Sequence, residues 1–122
     1  MSNLYKILSS DDWRAMLAEG RLLGAGIDLR DGYVHLSSGA QVRETLSLHY
    51  AGRADLRLVV VAEDALDAEA LRWEPSRGGA LFPHLYGPLP LSAVRGAWTV
   101  DVTPEGAVAL PRDVDEAERT AG

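Results

Sequence analysis

The chain has 122 residues, of which 47% are hydrophobic and 25% are charged, a composition typical of one soluble domain with a single core. Its net charge of -6 and its pI near 4.9 disfavour a long basic surface for nucleic-acid backbone, because such surfaces need clustered lysine and arginine. The absence of cysteine excludes disulfide scaffolds, thiolate nucleophiles and thiolate zinc sites.

The basic residues still allow a local pocket for a nucleotide or another small phosphorylated ligand. Lys6 is the single lysine, and the arginines are scattered along the chain. A guanidinium group suits a phosphate without any overall positive charge. No apolar run approaches the roughly 20 residues that cross a bilayer, and the N-terminus lacks the pattern of a signal peptide. We therefore expect a cytoplasmic protein without membrane contact.

The first third of the chain predicts a strand, a helix and a loop. Residues 4–8 are mixed apolar and bounded by serine, which favours a strand. Serines and aspartates then provide a cap and first-turn acids for a short amphipathic helix that stops at Gly20. Residues 21–32 contain three glycines and no sustained period, so we expect a loop that covers or opens onto a pocket.

A second strand and a second helix follow this loop. Residues 33–36 alternate as a strand does, and Ser38 with Gln41 forms a capping-box pattern. We expect a helix over residues 39–50 whose apolar stripe faces the core, with His49 as half-buried packing beside it.

The second half of the chain predicts mainly strands. Residues 56–62 are β-branched and apolar enough for a central strand, and further strands are expected at 71–74, 82–86 and 97–102. These later strands are too close together for helical crossovers, which indicates an α+β domain with a mainly antiparallel sheet. We expect one domain over residues 1–103 and an acidic, partly disordered extension over 104–122.

Two groups of polar residues carry the candidate chemistry. His35 and Ser37 share one strand face, where an imidazole and a hydroxyl can orient a ribose or phosphate or move a proton. A buried structural histidine and a helix-capping serine also explain the same pattern, and the residues alone slightly favour that explanation. In the second group, Trp73 offers a stacking surface and Glu74 a carboxylate, although alternation places them on opposite strand faces.

The segment that follows adds an aromatic and histidine wall. Phe82, His84 and Tyr86 share one face if the chain is extended there, while Pro83 suits an edge strand. The three histidines of the chain lack the local H-x-H or H-x-x-x-H spacing of a metal site, so we expect no metal.

These motifs carry a family resemblance. The G-Y-V-H-L-S segment at 32–37, the W-E pair at 73–74 and the F-P-H-L-Y-G-P-L segment at 82–89 resemble the domain-of-unknown-function family 952 (DUF952), a bacterial family, over residues 4–101. That resemblance implies an ADP-ribosyltransferase-like fold, in which a split, mainly antiparallel sheet with two short helices in the N-terminal half forms a cleft for NAD. The motif order is also distantly similar to that of tRNA 2′-phosphotransferases.

The resemblance implies a set of site residues. Lys6 stands where a first-strand histidine would hold the NAD ribose, and His35 with Ser37 matches the second motif. Glu74 and His84 are alternatives for the third, catalytic position, which stabilises an oxocarbenium-like transition state. The remaining expected ligand contacts are aromatic surfaces and an arginine for the pyrophosphate: Trp73, Tyr86 and Arg77.

Three functions remain open on this basis. The first is an enzyme that transfers ADP-ribose or cleaves NAD, with His35 among its catalytic residues. The second is a non-catalytic module that binds a nucleotide or another small phosphorylated ligand on the same fold. A hydrolase that uses Glu74 and a histidine as acid and base is also compatible with the residue types.

Overall fold

The computed structural model describes residues 3–112 and 114 as an α+β chain whose described strand pairs are all antiparallel. This confirms the predicted class. The strands are β1 (Asn3–Ser9), β2 (Arg21–Leu22), β3 (Val34–His35), β4 (Ser37–Ser38), β5 (Leu56–Ala62), β6 (Leu71–Pro75), β7 (Leu81–Leu85), β8 (Leu89–Pro90) and β9 (Val94–Val100). The α-helices are α1 (Ser10–Glu19), α2 (Ile27–Asp31) and α3 (Val42–His49), and short 3-10 turns cover Glu63–Ala65, Arg77–Gly79 and Leu91–Ala93.

The strands form two main sheets that share one length of chain. The first sheet has the order β4-β1-β5-β9 and the second has the order β3-β7-β6, while β2 and β8 pair separately. Residues 34–38 supply β3 to one sheet and β4 to the other, so the sheets separate along this segment. Beyond Tyr5, which pairs with Ser37, β1 continues to Ser9 with β5 as its ladder partner and leaves an edge at the split.

Apolar residues on both faces of the first sheet hold the fold together. Strand β5 lies between β1 and β9 and is almost wholly buried, as its β-branched run predicts. On β1, Leu4 and Leu8 face a core that includes Met16 of α1, whereas Tyr5 and Ile7 face a core that includes residues of α3. Each fully buried leucine side chain stabilises the fold by roughly 1.5–3 kcal/mol.

Residues 21–32 differ from the predicted loop. They contain the short strand β2 and the five-residue helix α2, which ends at Gly32 with φ 86 and an N–H bond to the Asp28 carbonyl. A helix this short has little intrinsic stability, so tertiary contacts rather than sequence period form it. The predicted second helix also starts later than expected, at Val42, although the Gln41 side chain does accept from the Ser38 N–H.

The chain beyond the last strand still contacts the core. Val102 bridges to Val108, and Val114 is buried against the α3 side of the first sheet. Residues 113 and 115–122, where we expected a partly disordered end, lie outside the described residues, as do residues 1 and 2. No helix among those the structure describes is long and apolar enough to span a membrane.

Candidate functional site

A buried ion pair joins β1 to α2. Strand alternation places Lys6 on the same face of β1 as Leu4 and Leu8, so its ammonium enters an apolar core. Lys6 Nζ lies 2.7 Å from Asp28 Oδ2, and both side chains are almost completely buried. Burial lowers the pKa of Lys6, while the charge and hydrogen bond of Asp28 oppose that shift. The ion pair therefore keeps a charged lysine inside the fold.

Asp28 is the centre of this buried network. Its Oδ2 also accepts from the Ala25 N–H at 3.0 Å, and its Oδ1 accepts from the His35 N–H at 3.0 Å. The ring atom His35 Nδ1 lies 2.6 Å from the same Oδ1. Burial alone would raise the pKa of Asp28, but the His35 hydrogen bond and the Lys6 charge outweigh it and lower the pKa to about 2.

Gly24 lets the chain close around Asp28. A Cβ at position 24 would lie 3.0 Å from both the Asp28 Cβ and a Leu29 methyl carbon. The backbone could not keep this close approach with a larger residue. Gly24 therefore allows the chain before α2 to pack closely against Asp28.

His35 uses both ring nitrogens to hold carboxylates. Besides the Asp28 contact, His35 Nε2 lies 3.0 Å from Asp31 Oδ2. The pKa of Asp31 is lowered, first by the hydrogen bond from Arg30 and also by His35. Ionised carboxylates only accept hydrogen bonds, so this arrangement is fully satisfied when both ring nitrogens carry protons. His35 thus connects the network to the cleft without a free ring nitrogen.

Tyr33 stacks across the two histidines. Its ring centroid is 4.2 Å from that of His84, nearly parallel, and 4.6 Å from that of His35. The Tyr86 ring lies 5.0 Å away on the same sheet face, with the Arg72 guanidinium 5.3 Å from its centroid. Desolvation, followed by the charges of Asp31 and Glu74, raises the pKa of Tyr33. These rings form one aromatic surface over β3 and β7.

Glu74, His84 and Tyr86 form a second hydrogen-bonded group. Glu74 Oε1 lies 2.8 Å from His84 Nδ1 and accepts from the Tyr86 hydroxyl at 2.7 Å. These hydrogen bonds, that of Tyr86 first, lower the pKa of Glu74, and the same bond raises the pKa of Tyr86. The β6–β7 register pairs Glu74 with Phe82 and Arg72 with His84, which brings the carboxylate to the histidine face. Glu74 is therefore ionised at neutral pH.

A cavity of about 700 Å³ lies at the split between the sheets. Its lining includes the open edge of β1, one side of α2, part of α3, and Tyr33, His35 and His84. Glu74 and Tyr86 are not part of that lining; Glu74 lies beside His84 with its side chain 35% exposed. The partly exposed Glu74 is thus joined to the cavity lining through His84.

The structure brings together some of the predicted site residues. His35 faces His84 across the β3–β7 ladder, with ring centroids 5.6 Å apart, and His84 contacts Glu74 and lies near Tyr86. The expected common face of Phe82, His84 and Tyr86 is consistent with this geometry, since Phe82 and His84 both line the cavity. Glu74 and His84, proposed as alternatives for one position, are partners in one hydrogen bond.

Other predicted residues lie elsewhere. Lys6 lines the cavity but is engaged with Asp28, and Ser37 is buried with its hydroxyl 3.3 Å from that of Thr45. Trp73 pairs with Pro83 on the opposite sheet face from Glu74 and is 40% exposed. The side chain of Arg77 lies outside the described part of the structure.

The prediction for His49 was wrong. We expected half-buried packing on α3, but its side chain is exposed and lines the cavity. His49 lies in the last turn of α3, which borders the cavity. It is therefore not part of the apolar stripe by which α3 packs against the core.

Sequence reasoning missed Asp28, Tyr33 and Arg53. The signal for Asp28 was the lone lysine in an apolar strand, because a buried ammonium requires a carboxylate partner. Arg53 lines the cavity with its guanidinium 5.1 Å from the Tyr50 ring centroid, and it forms no ion pair within residues 3–112 and 114. Within the same residues, no group of three acidic or histidine side chains could hold a metal.

Comparisons with known proteins give a matching family and solved structures of a similar protein. The family described as "Protein of unknown function (DUF952)" matches residues 7–97. The crystal structure of protein CC0527 from Caulobacter crescentus has 43% sequence identity and a TM-score of 0.85, with 93% of this chain and 99% of that chain covered. The solution structure of CC0527 has 44% identity and a TM-score of 0.75, with 95% and 97% covered. No curated protein matches the chain.

Proposed function

The chain belongs to the DUF952 family, and we propose that its cleft binds NAD and cleaves the bond between ribose and nicotinamide, passing ADP-ribose to an acceptor. In this proposal the fold is ADP-ribosyltransferase-like, and the cavity at the sheet split holds the nucleotide. The separation of the two antiparallel sheets along residues 34–38 supports this view of the fold. The distant similarity to tRNA 2′-phosphotransferases belongs to the same proposal.

The observation that carries the proposal is the state of the Glu74 carboxylate. Oε1 is held by His84 and Tyr86, whereas Oε2 has no partner among the described residues. A fixed, ionised carboxylate oxygen beside a cleft can stabilise positive charge that develops on a ribose ring when its glycosidic bond breaks. Its orientation is set before the substrate binds, so little reorganisation is needed in the transition state.

The cavity suits a dinucleotide in size and chemistry. Its volume of about 700 Å³ lies within the range of roughly 300–1,000 Å³ for small-molecule sites. Tyr33 offers an aromatic surface for the nicotinamide ring near Glu74, and the β1 edge offers backbone hydrogen-bonding groups. Arg53 lines the cavity and has no ion-pair partner among the described residues, so it provides a cation for the pyrophosphate, the role that sequence reasoning gave to Arg77.

Nicotinamide release from NAD tests the proposal. We expect slow release by the wild-type protein that falls by about 100-fold or more in Glu74→Gln, the range for loss of a catalytic electrostatic group. Glu69→Gln is the matched control, because Glu69 is exposed and its side chain is not part of the cavity lining. Absence of release by the wild type with water and with added alcohol acceptors would contradict the proposal.

A second candidate is a binding module without turnover. The observation that favours it is the engagement of Lys6 and His35, because both hold buried or partly buried carboxylates instead of facing the cavity with free polar atoms. Saturable NAD binding by calorimetry, with no nicotinamide release over many hours, would select this candidate. Release that is lost in Glu74→Gln would exclude it.

A further inference from the structure

The hydrogen bond to Glu74 fixes the tautomer of His84. An ionised carboxylate can only accept, so His84 Nδ1 carries the proton in the 2.8 Å contact with Glu74 Oε1. In the neutral ring Nε2 then has the lone pair. The nearly parallel Tyr33 ring, with its centroid 4.2 Å away, restricts rotation of the imidazole. The Nε2 lone pair of His84 is consequently held in one orientation.

His84 lines the cavity, and Nε2 is the ring nitrogen that the Glu74 hydrogen bond leaves unused. Residues 3–112 and 114, apart from the side chain of residue 77, which is outside the described part, offer this atom no hydrogen-bond partner. The same residues contain no buried side-chain nitrogen or oxygen that lacks a hydrogen bond, so Nε2 is accessible. His84 is 4% exposed and lines the cavity, so the atom reaches open space there. His35 differs, because both of its ring nitrogens are occupied by Asp28 and Asp31.

From this geometry we infer that His84 is the general base for the acceptor and that the acceptor is water or a neutral hydroxyl compound. The inference rests on the proposed function. A carboxylate that orients an imidazole and stabilises the imidazolium formed is an established arrangement for removing a hydroxyl proton. An acceptor that is already an anion would have no use for such a base.

The step balances without any further reactant. The bond from ribose C1′ to the nicotinamide nitrogen breaks, and its electron pair leaves with nicotinamide. The acceptor oxygen forms a new bond to C1′, and its proton passes to His84 Nε2. In this step Glu74 acts through both oxygens. Oε1, which contacts His84 Nδ1, stabilises the imidazolium. Oε2 remains for the positive charge that develops on the ribose. The proton leaves to solvent through the cavity mouth.

The inference is tested by comparing His84→Asn with the wild type for two classes of acceptor, the neutral compounds water and methanol and the anion azide. The asparagine amide can still donate to Glu74 but has no Nε2. We expect nicotinamide release with water or methanol to fall by about 100-fold or more, in the range for loss of a general base. With azide, an anion that needs no base, the variant should release nicotinamide as fast as the wild type does with azide. The azide rate also shows that the variant is folded.

The other outcomes distinguish failure of the role inferred for His84 from failure of the proposed function. An undiminished water reaction in His84→Asn overturns the role of His84 and leaves the proposed function intact. Equal losses with water and azide, in a variant that melts at the wild-type temperature, also overturn it. Failure of the wild-type protein to release nicotinamide with any acceptor rejects the proposed function itself. If the asparagine variant does not fold, His84→Gln is compared in the same way.

Discussion

Glu74 Oε1 and His84 Nδ1 lie 2.8 Å apart, so the two residues act as one hydrogen-bonded pair on the histidine face of the second sheet. Adjacent strands β6 and β7 supply them, and their register brings the carboxylate beside the ring. One oxygen of Glu74 and one nitrogen of His84 are left without partners in the described residues. Those two atoms are the reactive groups in our account.

The buried ion pair predicts a large loss of stability in Asp28→Asn. The change leaves the Lys6 ammonium buried without an opposite charge, and loss of one partner of a buried pair costs about 3–5 kcal/mol. Urea unfolding should show this loss in the free energy of unfolding. Asp11→Asn, which removes an exposed partner of Arg14, should cost less than about 1 kcal/mol. Similar stabilities for the two variants would contradict the central role of Asp28.

The acid dependence of stability should also reflect Asp28. Its pKa is lowered from 3.8 to about 2 in the folded state, so the unfolded chain binds the proton first as the pH falls. The stabilisation, about 2 kcal/mol, is complete above pH 3.8 and is lost as the pH falls to about 2. Free energies of unfolding of wild type and Asp28→Asn, measured from pH 5 to pH 2, should converge by that amount. Parallel curves would show that Asp28 does not titrate as described.

The phenol of Tyr86 should control the ionisation of Glu74. Tyr86→Phe removes the first of the hydrogen bonds that lower the pKa of Glu74, so that pKa should rise toward its ordinary value. Carbon NMR of the Glu74 carboxyl group measures the change directly. Tyr50→Phe removes another hydroxyl group that has no contact with Glu74 and should leave this pKa unchanged. A Glu74 pKa that is the same in all three proteins would rule out the Tyr86 hydrogen bond.

Arg53 should contribute to binding through the pyrophosphate. Arg53→Gln should weaken NAD binding by about 10-fold or more, because a charge-assisted hydrogen bond contributes about 1.5–3 kcal/mol. Binding of nicotinamide mononucleotide, which lacks a pyrophosphate, should weaken less. Arg57→Gln is the matched control, since Arg57 is paired with Asp55 and does not line the cavity. Calorimetric titration gives all of these affinities, and equal affinities for wild type and Arg53→Gln would place the pyrophosphate elsewhere.

Strong local patterns predicted much of the fold. The run of valines in β5 required a central strand, and the serine and glycine around α1 defined both of its ends. The family motifs also singled out His35, His84 and Glu74, whose side chains lie close together in the structure. Strand β5 and helix α1 could be predicted from the sequence because each depends mainly on residues that are close together in the chain.

The site network depended on distant partners that local pattern does not reveal. Helix α2 forms around Asp28, which takes its hydrogen bonds from Lys6 on β1 and His35 on β3. The Glu74 contact with His84 depends on strand register, which sequence alone did not specify. Trp73 was a reasonable stacking residue by type, and it lies on the face opposite Glu74, as strand alternation predicted.

A crystal structure of Glu74→Gln grown with NAD tests the central claim most directly, because the variant should bind the substrate but cleave it slowly. We predict an intact dinucleotide in the cavity, with its nicotinamide ring beside Tyr33, its ribose C1′ in contact with the side chain at position 74, and its pyrophosphate near Arg53. NAD bound at another surface, or a cavity without nucleotide at concentrations that saturate the solution signal, would contradict the account.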